Sequence, residues 1–156
     1  MRKKRIMVIG PKGCGKTTLV NYINDYDGPL RRTQDTIYTD KTIDVPSAYI
    51  ENAWMYKHII AMAQDASCIL LLLDQSRTTE VYSHGFARAF RCPVIGVITK
   101  CDLDPENREI CNRQFEFIGV REPFFPISVP EGIGLDELEE YLLEIKKGKG
   151  TDEVHY

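Results

Sequence analysis

The sequence predicts a three-layer α/β protein with a mostly parallel sheet of five to six strands and helices on both faces. Two patterns along the 156 residues support this fold class. Short runs of aliphatic and β-branched residues alternate with segments whose apolar residues recur at helical spacing. Two of the runs, 67–73 and 93–99, are apolar almost throughout, as expected of strands covered on both faces. Such alternation is typical of parallel strands joined by right-handed helical crossovers.

The first half of the chain is predicted to hold three strands and two helices. Residues 5–10 are expected to form a short buried strand, and residues 16–26 a helix whose apolar residues share one face. The segment 27–34 contains a Gly-Pro pair and is expected to be a loop. The other elements of this half are two short strands and a helix, expected at 36–38, 41–45 and 52–64.

The second half is predicted to repeat a strand followed by a helix three times. The strands are expected at 67–73, 93–99 and 123–128, and the first two helices at 80–90 and 105–117. Proline at position 105 suits the first turn of its helix. The last helix is indicated by four apolar residues at helical spacing, Leu135, Leu138, Leu142 and Ile145.

Composition limits the classes of partner. Lys and Arg number 20 against 23 Asp and Glu, which gives a net charge of −3. A non-specific nucleic-acid binder would be basic, so no nucleic-acid partner is expected. The longest strongly apolar run, Cys68–Leu73, is far shorter than the ~20 residues of a membrane helix, so no membrane partner is expected either. Any anion that this protein binds must therefore be held by a local site.

The cysteines and the chain length indicate a cytoplasmic protein of one domain. The 5 cysteines are odd in number and form no C-x-x-C pair, so neither a zinc site nor a disulfide framework is expected. Without an export signal, reduced thiols in the cytoplasm are the simplest interpretation. We assign residues 1–147 to a single domain. The stretch 148–156 has lost apolar periodicity and is expected to be a disordered tail.

A glycine-rich loop lies between the first predicted strand and the first predicted helix. It matches G-x-x-x-x-G-K-[ST] at every position, and its residues are Gly10, Pro11, Lys12, Gly13, Cys14, Gly15, Lys16 and Thr17. The backbone amides of such a loop curve around phosphate oxygens, and the helix N-terminus adds its positive dipole. We expect Lys16 to reach the β- and γ-phosphates and the Thr17 hydroxyl to bind Mg²⁺, with Thr18 also at the nucleotide. The motif thus predicts a P-loop nucleotide-binding protein.

Three later features indicate a metal ligand and a guanine base. Asp44 ends a predicted strand beside the loop, where a carboxylate can hold Mg²⁺ through water. Thr99-Lys100-Cys101-Asp102 follows the strand 93–99. The Lys100 stem can lie over a purine, and Asp102 can accept hydrogen bonds from the guanine N1–H and 2-amino group, a donor pair that adenine lacks. The loop of Ser128 and Val129 can close over the base edge.

These motifs come in the order and spacing of the Ras-like, translation-factor-related GTPases, which the chain resembles over about residues 1–147. More narrowly, it resembles the EutP/PduV family of ethanolamine- and propanediol-utilisation proteins, which are encoded with bacterial microcompartment operons. That likeness rests on the short length, the T-K-x-D variant and two segments, Arg32-Thr33-Gln34 and Tyr49-Ile50-Glu51-Asn52. It implies a function in ethanolamine or propanediol utilisation, with shell or enzyme proteins of a microcompartment as partners. It leaves the oligomeric state open.

The resemblance also implies a role for individual residues. Lys16 and Thr33 become the catalytic residues, and Thr33 completes the Mg²⁺ shell with Thr17 and Asp44; Thr36 is the alternative to Thr33. Lys100 and Asp102 become the base readers, and Ser128 becomes the serine of the base loop.

The sequence departs from the GTPase pattern at two motifs. D-x-x-G becomes Asp44-Val45-Pro46-Ser47, which removes a glycine whose amide normally bonds the γ-phosphate, and no Gln follows to orient an attacking water. Thr99 replaces the usual Asn of N-K-x-D, an amide that ties this loop to the phosphate loop. Unaided hydrolysis is therefore expected to be slow, and guanine selectivity is expected to weaken.

The leading hypothesis is a Mg²⁺-dependent guanine-nucleotide-binding protein that hydrolyses GTP slowly. One alternative is an ATP-dependent small-molecule kinase with acetate as acceptor, which the resemblance suggests and Asp102 opposes. The other is a non-catalytic nucleotide-binding assembly module, which Ser47 and the missing Gln support. A further hypothesis concerns Cys14: a helix N-terminus and Lys16 would lower its thiol pKa and could make it a redox switch.

Overall fold

The computed structural model describes residues 4–24, 37–38 and 41–147, and these residues form a sheet of six strands with helices on both faces. The strands are β1 (Arg5–Ile9), β2 (Ile37–Tyr38), β3 (Thr42–Asp44), β4 (Ala66–Asp74), β5 (Val94–Thr99) and β6 (Phe124–Pro126). Their order is β2-β3-β1-β4-β5-β6, with β2 antiparallel to β3 and every other pair parallel. This architecture confirms the predicted fold class.

Five α-helices accompany the sheet within the described ranges. They are α1 (Lys16–Ile23), α2 (Ala48–Glu51), α3 (Tyr56–Met62), α4 (Arg108–Ile118) and α5 (Leu135–Lys147). None of the helices in the described part of the chain is long and apolar enough to cross a membrane. The predicted loop 27–34 and the predicted tail 148–156 lie outside the described residues.

The core is divided by the sheet into two layers, because neighbouring side chains of a strand point to opposite faces. On one face, Met7 of β1 and Ile69 of β4 belong to a cluster with residues of α3 and α4. On the other face, Val8 and Leu70 belong to a second cluster with residues of α1 and α5. Every residue of β4 except Ser67 is buried, which explains why this strand is a continuous apolar run.

The predicted helix 52–64 forms as a 3₁₀ turn, Ala53–Met55, followed by α3 and a second 3₁₀ turn, Ala63–Asp65. A break separates it from the short helix α2, which lies just before it. The break falls at Asn52, whose backbone is extended (φ −127°, ψ 111°) and whose side-chain amide donates to the Ala48 carbonyl (3.0 Å). An Asn that bonds a backbone carbonyl in this way competes with helix continuation.

The predicted helix 80–90 is wrong, since only a 3₁₀ helix, Phe86–Ala89, forms there. Gly85 has a left-handed backbone (φ 73°), which ends any helix that approaches it. The aromatic residues of this segment pack on each other instead: the ring centroids of Tyr82 and Phe86 are 5.6 Å apart, and those of Phe86 and Phe90 are 5.2 Å apart. Their spacing of four residues imitates a helical repeat.

The carboxyl ends of the five parallel strands lie along one edge of the sheet. Asp44 ends β3, Asp74 ends β4 and Thr99 ends β5. The glycine-rich loop follows β1, and Ser128 lies just after β6. Ligands of open α/β sheets bind outside this edge, so the fold brings the predicted motifs to the expected place.

Candidate functional site

The glycine-rich loop spans the gap between β1 and α1, and α1 begins at Lys16 with Gly15 as its N-cap residue. Gly15 has φ 92°, a left-handed conformation that favours glycine. Gly10 is required for a different reason, because an added Cβ would lie 2.7 Å from the Cys14 sulfur and 3.1 Å from the Leu72 Cβ. The loop therefore lies tightly against β4 and presents the first amides of α1 at the carboxyl edge.

Lys16 and Asp44 form a buried ion pair at this edge. The ammonium nitrogen lies 2.7 Å from one carboxylate oxygen, and the two residues are only 8% and 3% exposed. The contact joins the start of α1 to the end of β3. A buried ammonium or carboxylate without a partner would be strongly unfavourable, so each charge makes the burial of the other tolerable.

The oxygen donors beside this ion pair fit a magnesium ion. Asp44 supplies a carboxylate, and Thr17 supplies a hydroxyl at the position directly after Lys16. Mg²⁺ prefers such hard oxygen ligands and usually keeps several waters and phosphate oxygens in its shell. Across the described ranges, no group of three or more His, Cys, Asp or Glu side chains could hold a metal ion.

Two cations from neighbouring loops support the outer side of the phosphate loop. The Lys100 ammonium donates to the Gly13 carbonyl (2.8 Å) and lies 3.1 Å from a carboxylate oxygen of Asp74, an ion pair without hydrogen-bond geometry. The Arg77 guanidinium donates to the Lys12 carbonyl. The other Asp74 oxygen accepts from the backbone N–H (2.8 Å) and the hydroxyl (2.6 Å) of Ser76. The Arg77 Nε lies 3.7 Å from the same Asp74 oxygen as Lys100, so Asp74 forms ion pairs with both cations.

The loop that holds Asp102 follows β5 and lies beside the loop after β6. The Cys101 N–H donates to the Ile127 carbonyl (3.0 Å), which brings the T-K-C-D segment next to Ser128. The Asp102 side chain is exposed, whereas Ser128 is buried and exchanges two backbone hydrogen bonds of 3.0 Å with Ile133. Val129 is partly buried against the second core cluster. The Thr99 hydroxyl donates to the Leu73 carbonyl (3.2 Å) within the sheet.

The segment after Asp44 is the predicted switch region. Ser47 has an ordinary helical backbone (φ −60°, ψ −28°), so the position does not require the glycine that it lacks. The Ile50 N–H donates to the Ser47 carbonyl (3.2 Å), which fixes the turn that starts α2. Glu51 is exposed at the end of α2. Thr33 and Thr36, the two candidates for a further Mg²⁺ ligand, lie outside the described residues.

The expectation of a lowered thiol pKa at Cys14 is wrong. The side chain is fully buried, and burial raises the pKa of the thiol to about 11. The Lys16 backbone N–H and the Lys16 charge act in the opposite direction but are outweighed. Because the thiolate is the reactive form, a thiol with this pKa is inert at neutral pH, which opposes a redox switch.

Sequence reasoning missed two residues of the site and undervalued a third. Asp74 ends the most apolar strand and Gln75 follows it, and neither matches a motif. Arg77 also lies outside every motif, yet its guanidinium contacts the phosphate loop. The one available signal was the position of all three directly after a strand at the ligand-bearing edge of the sheet.

The strand order and the phosphate loop define a P-loop protein with the fold of the small GTPases. Many solved structures share this fold, and three of them serve as examples. A probable GTP-binding protein engB has a TM-score of 0.64 at 19% identity, covering 90% of this chain and 97% of that chain. Aquifex aeolicus Era Y63A bound to GDP·AlF4⁻ has a TM-score of 0.63 at 19% identity, covering 93% and 57%. The Methanococcus jannaschii FeoB G-domain has a TM-score of 0.64 at 17% identity, covering 94% and 99%.

A family model described as ethanolamine utilisation – propanediol utilisation, PduV-EutP, matches residues 3–144, and the chain belongs to this family. The propanediol utilization protein PduV of Citrobacter freundii is 35% identical over 136 residues, covering 86% of this chain and 90% of the relative. The "Probable acetate kinase EutP" of Escherichia coli (strain K12) is 26% identical over 152 residues, covering 96% of each.

Proposed function

We propose that this protein binds guanine nucleotides with Mg²⁺ and hydrolyses GTP slowly, in the service of ethanolamine or propanediol utilisation. One observation carries the proposal: the Lys100 ammonium donates to the Gly13 carbonyl (2.8 Å). This bond joins the loop that holds Asp102 to the phosphate loop. A nucleotide that spans both loops would therefore find its base contacts and its phosphate contacts at a defined separation.

The phosphate loop would bind the phosphates through its backbone amides and the start of α1. Lys16 is already at this position, where its ammonium pairs with Asp44. Phosphate oxygens would accept from Lys16, while Asp44 and Thr17 would hold Mg²⁺, with Thr33 or Thr36 as the further ligand. The ion supplies positive charge that stabilises the transferring phosphoryl group.

Asp102 would read the base. Its carboxylate is exposed at the carboxyl edge, and it only accepts hydrogen bonds when ionised. Guanine offers it two donors, the N1–H and the 2-amino group, whereas the corresponding edge of adenine has an acceptor at N1. The Lys100 stem and the Ser128–Val129 loop would lie on the face and edge of the base. These features favour GTP and GDP over ATP.

Hydrolysis would be slow because the described switch region offers no side chain placed to orient water. Ala48 and Tyr49 follow Ser47, and the nearest carboxylate, Glu51, is exposed at the far end of α2. Stabilisation of charge by the loop amides, Lys16 and Mg²⁺ would remain. Catalysis of this kind is mainly electrostatic.

The proposal is tested by titrating GTP, GDP and ATP in the presence of Mg²⁺ and then following phosphate release. We expect GTP and GDP to bind more tightly than ATP, and phosphate release to exceed that of Lys16→Ala. Lys57→Ala is the matched control, since Lys57 is an exposed lysine of α3, outside the phosphate loop. Tighter binding of ATP would contradict the guanine assignment. Release equal to that of a folded Lys16→Ala variant would favour the non-catalytic assembly module.

The second candidate function is an ATP-dependent kinase with acetate as acceptor. The EutP relatives from Escherichia coli and Salmonella, at 26–27% identity, are named as probable acetate kinases, which favours this function. Asp102 opposes it, because a carboxylate disfavours the adenine edge. Adding acetate to the same assay separates the two functions: a kinase produces ADP and acetyl phosphate in equal amounts, whereas a GTPase releases phosphate independently of acetate.

The cellular part of the proposal rests on the family. Family membership supports a switch or assembly factor in the cytoplasm that acts on shell or enzyme proteins of a microcompartment. The segment after Asp44 is the natural contact surface, because Trp54 is 69% exposed there. Copurification with shell proteins in the GTP form but not the GDP form tests this role; equal recovery in both forms contradicts a switch.

A further inference from the structure

The loop around Asp102 has a backbone that needs to be held in place. Lys100 and Asp104, the residues two positions before and after Asp102, both have positive φ angles, 57° and 46°. Residues with a Cβ adopt this left-handed conformation only when surrounding contacts determine it. Asp102 lies between them with an exposed side chain. Its direction therefore depends on whatever fixes the backbone on its two sides.

Gln75 makes those contacts. Its side-chain amide nitrogen donates to the Cys101 carbonyl (3.1 Å) and to the Leu103 carbonyl (2.7 Å), the residues directly before and after Asp102. Both amide hydrogens are used in this way. Gln75 itself is fully buried, so these bonds have no competition from water.

The orientation of the Gln75 amide is determined by Arg108. The Arg108 Nε donates to the Gln75 side-chain oxygen (2.6 Å). A guanidinium only donates and a backbone carbonyl only accepts, so a single orientation of the amide satisfies all three contacts. Arg108 begins α4, and the loop is thereby connected to a regular helix.

The backbone of Gln75 is attached to the same loop. Its N–H donates to the Thr99 carbonyl (3.0 Å), and its carbonyl accepts from the Asn107 side-chain amide (2.9 Å). All four polar groups of this one residue are therefore bonded to the segment 99–108. No motif marks Gln75, and the nucleotide roles proposed above do not include it.

We infer that Gln75 is the positioning residue of the base-reading loop: its amide fixes the carbonyls on both sides of Asp102 and so sets the discrimination between guanine and other bases. The inference rests on the proposed guanine-nucleotide function. Thr99, which bonds the Leu73 carbonyl within the sheet, does not hold the loop by a side-chain amide. Gln75 supplies a side-chain amide to the loop from the neighbouring strand end, where it bonds the carbonyls on both sides of Asp102.

Two variants of similar size test the inference. Gln75→Glu keeps an acceptor for Arg108 but places a second acceptor against the two carbonyls. Gln75→Met leaves the carbonyls without a donor. The matched control is Gln114→Met, because the Gln114 amide donates to the Thr78 carbonyl (2.6 Å), away from Asp102. The full-length chain is used throughout.

The readout is the ratio of the Kd values for IDP and GDP with Mg²⁺. The hypoxanthine base of IDP lacks the 2-amino group, so the ratio reports how well Asp102 faces both guanine donors. We expect both Gln75 variants to lower this ratio about tenfold, which corresponds to the loss of one well-oriented hydrogen bond to a charged group, while Gln114→Met leaves it unchanged. Gln75→Glu should not lower the ratio further in an Asp102→Asn background.

The outcomes distinguish this inference from the proposed function. If the wild-type protein prefers GDP over IDP and both Gln75 variants keep that preference, or lose both affinities equally, Gln75 is not a positioning residue. If the wild-type protein shows no guanine preference, the proposed function fails and the inference fails with it. A nucleotide-free measurement is alkylation of Cys101 against Cys92, resolved by mass spectrometry. Faster alkylation of Cys101 alone in both variants supports the inference, and an unchanged rate overturns it.

Discussion

The ion pair between Lys16 and Asp44 couples the two charges that the proposed function needs most. Both residues are almost fully buried, and the Lys16 ammonium nitrogen lies 2.7 Å from a carboxylate oxygen of Asp44. Nucleotide and Mg²⁺ would offer each charge a new partner of the same kind, phosphate oxygens for the ammonium and a cation for the carboxylate. Both charges would thus be compensated with and without bound nucleotide and Mg²⁺. This explains why a buried lysine is tolerated beside the phosphate loop.

Substitution of Asp102 tests the base assignment at a single residue. In Asp102→Asn, the side-chain amide presents a donor where guanine also presents donors, so we expect GDP affinity to fall at least about tenfold. Xanthine has a carbonyl at C2 in place of the amino group, and XDP affinity should therefore rise. Titration of GDP, ADP and XDP measures both effects.

The neighbouring Asp104 provides the control for that variant. It is exposed, and its backbone is left-handed (φ 46°), a conformation that Asn tolerates. Asp104→Asn should therefore leave the affinities for all three nucleotides unchanged. An Asp102→Asn protein that binds GDP like the wild type would remove Asp102 from the base site.

At the scale of elements, the phosphate loop depends on its packing against β4. A Cβ at position 10 would meet the Cys14 sulfur at 2.7 Å and the Leu72 Cβ at 3.1 Å. Gly10→Ala should therefore lower the free energy of unfolding by about 1–3 kcal/mol. Cys14→Ala removes the closer atom, so Gly10→Ala should be less harmful in that background. Urea unfolding of the wild type, the two single variants and the double variant measures how strongly the two substitutions are coupled. Purely additive changes in the free energy of unfolding would contradict the packing described.

The connection between β4 and β5 depends on Tyr82. Its hydroxyl donates to the Leu72 carbonyl (2.8 Å) from a fully enclosed position, and its ring packs on Phe86. Tyr82→Phe keeps the ring and removes the hydrogen bond, so we expect a loss of about 1 kcal/mol in the free energy of unfolding. Tyr49→Phe, at a partly exposed ring, is the control and should change little. Equal effects would mean that the hydroxyl of Tyr82 contributes no stability.

The same connection shows where sequence reasoning succeeds and where it fails. The strands β4 and β5 were predicted to within one residue, because a strand buried on both faces is apolar without interruption. The helix 80–90 was wrong because Tyr82, Phe86 and Phe90 recur every four residues while packing on each other across a left-handed Gly85. The spacing of apolar residues indicates which residues are buried together. It does not determine whether a helix or an irregular segment brings them together.

At the scale of the whole molecule, the site is assembled from the ends of strands far apart in the chain. The glycine-rich loop and the T-K-C-D segment could be predicted because their chemistry depends on local spacing. Asp74, Gln75 and Arg77 match no such local spacing, because each acts through contacts with loops 26 to 65 positions away. An acidic protein thereby places several cations, Lys16, Arg77 and Lys100, beside one loop. Under the proposed function, this local concentration of positive charge would serve a bound anion that the net charge of −3 does not attract.

The buried thiols predict how the stability of the whole molecule depends on pH. Burial raises the pKa of Cys14 from 9.0 to about 11 and that of Cys68 from 9.0 to about 12. Between pH 9 and these values the unfolded chain loses protons that the folded chain keeps. The free energy of unfolding should therefore be unaffected by these thiols below pH 9 and fall above it, by about 1 kcal/mol per pH unit for each thiol.

Urea unfolding in reducing buffer between pH 8 and pH 11 measures this dependence. Other groups also titrate there, so the informative quantity is the difference in slope between the wild type and the double variant Cys14→Ala, Cys68→Ala. Removing both thiols should make the decline shallower, although their cavities lower the stability at every pH. Cys101→Ala is the control, because this thiol is partly exposed. Its free energy of unfolding should depend on pH more nearly like that of the wild type than that of the double variant does. Equal slopes in the wild type and the double variant would mean that these two thiols are accessible to ionisation in the folded protein.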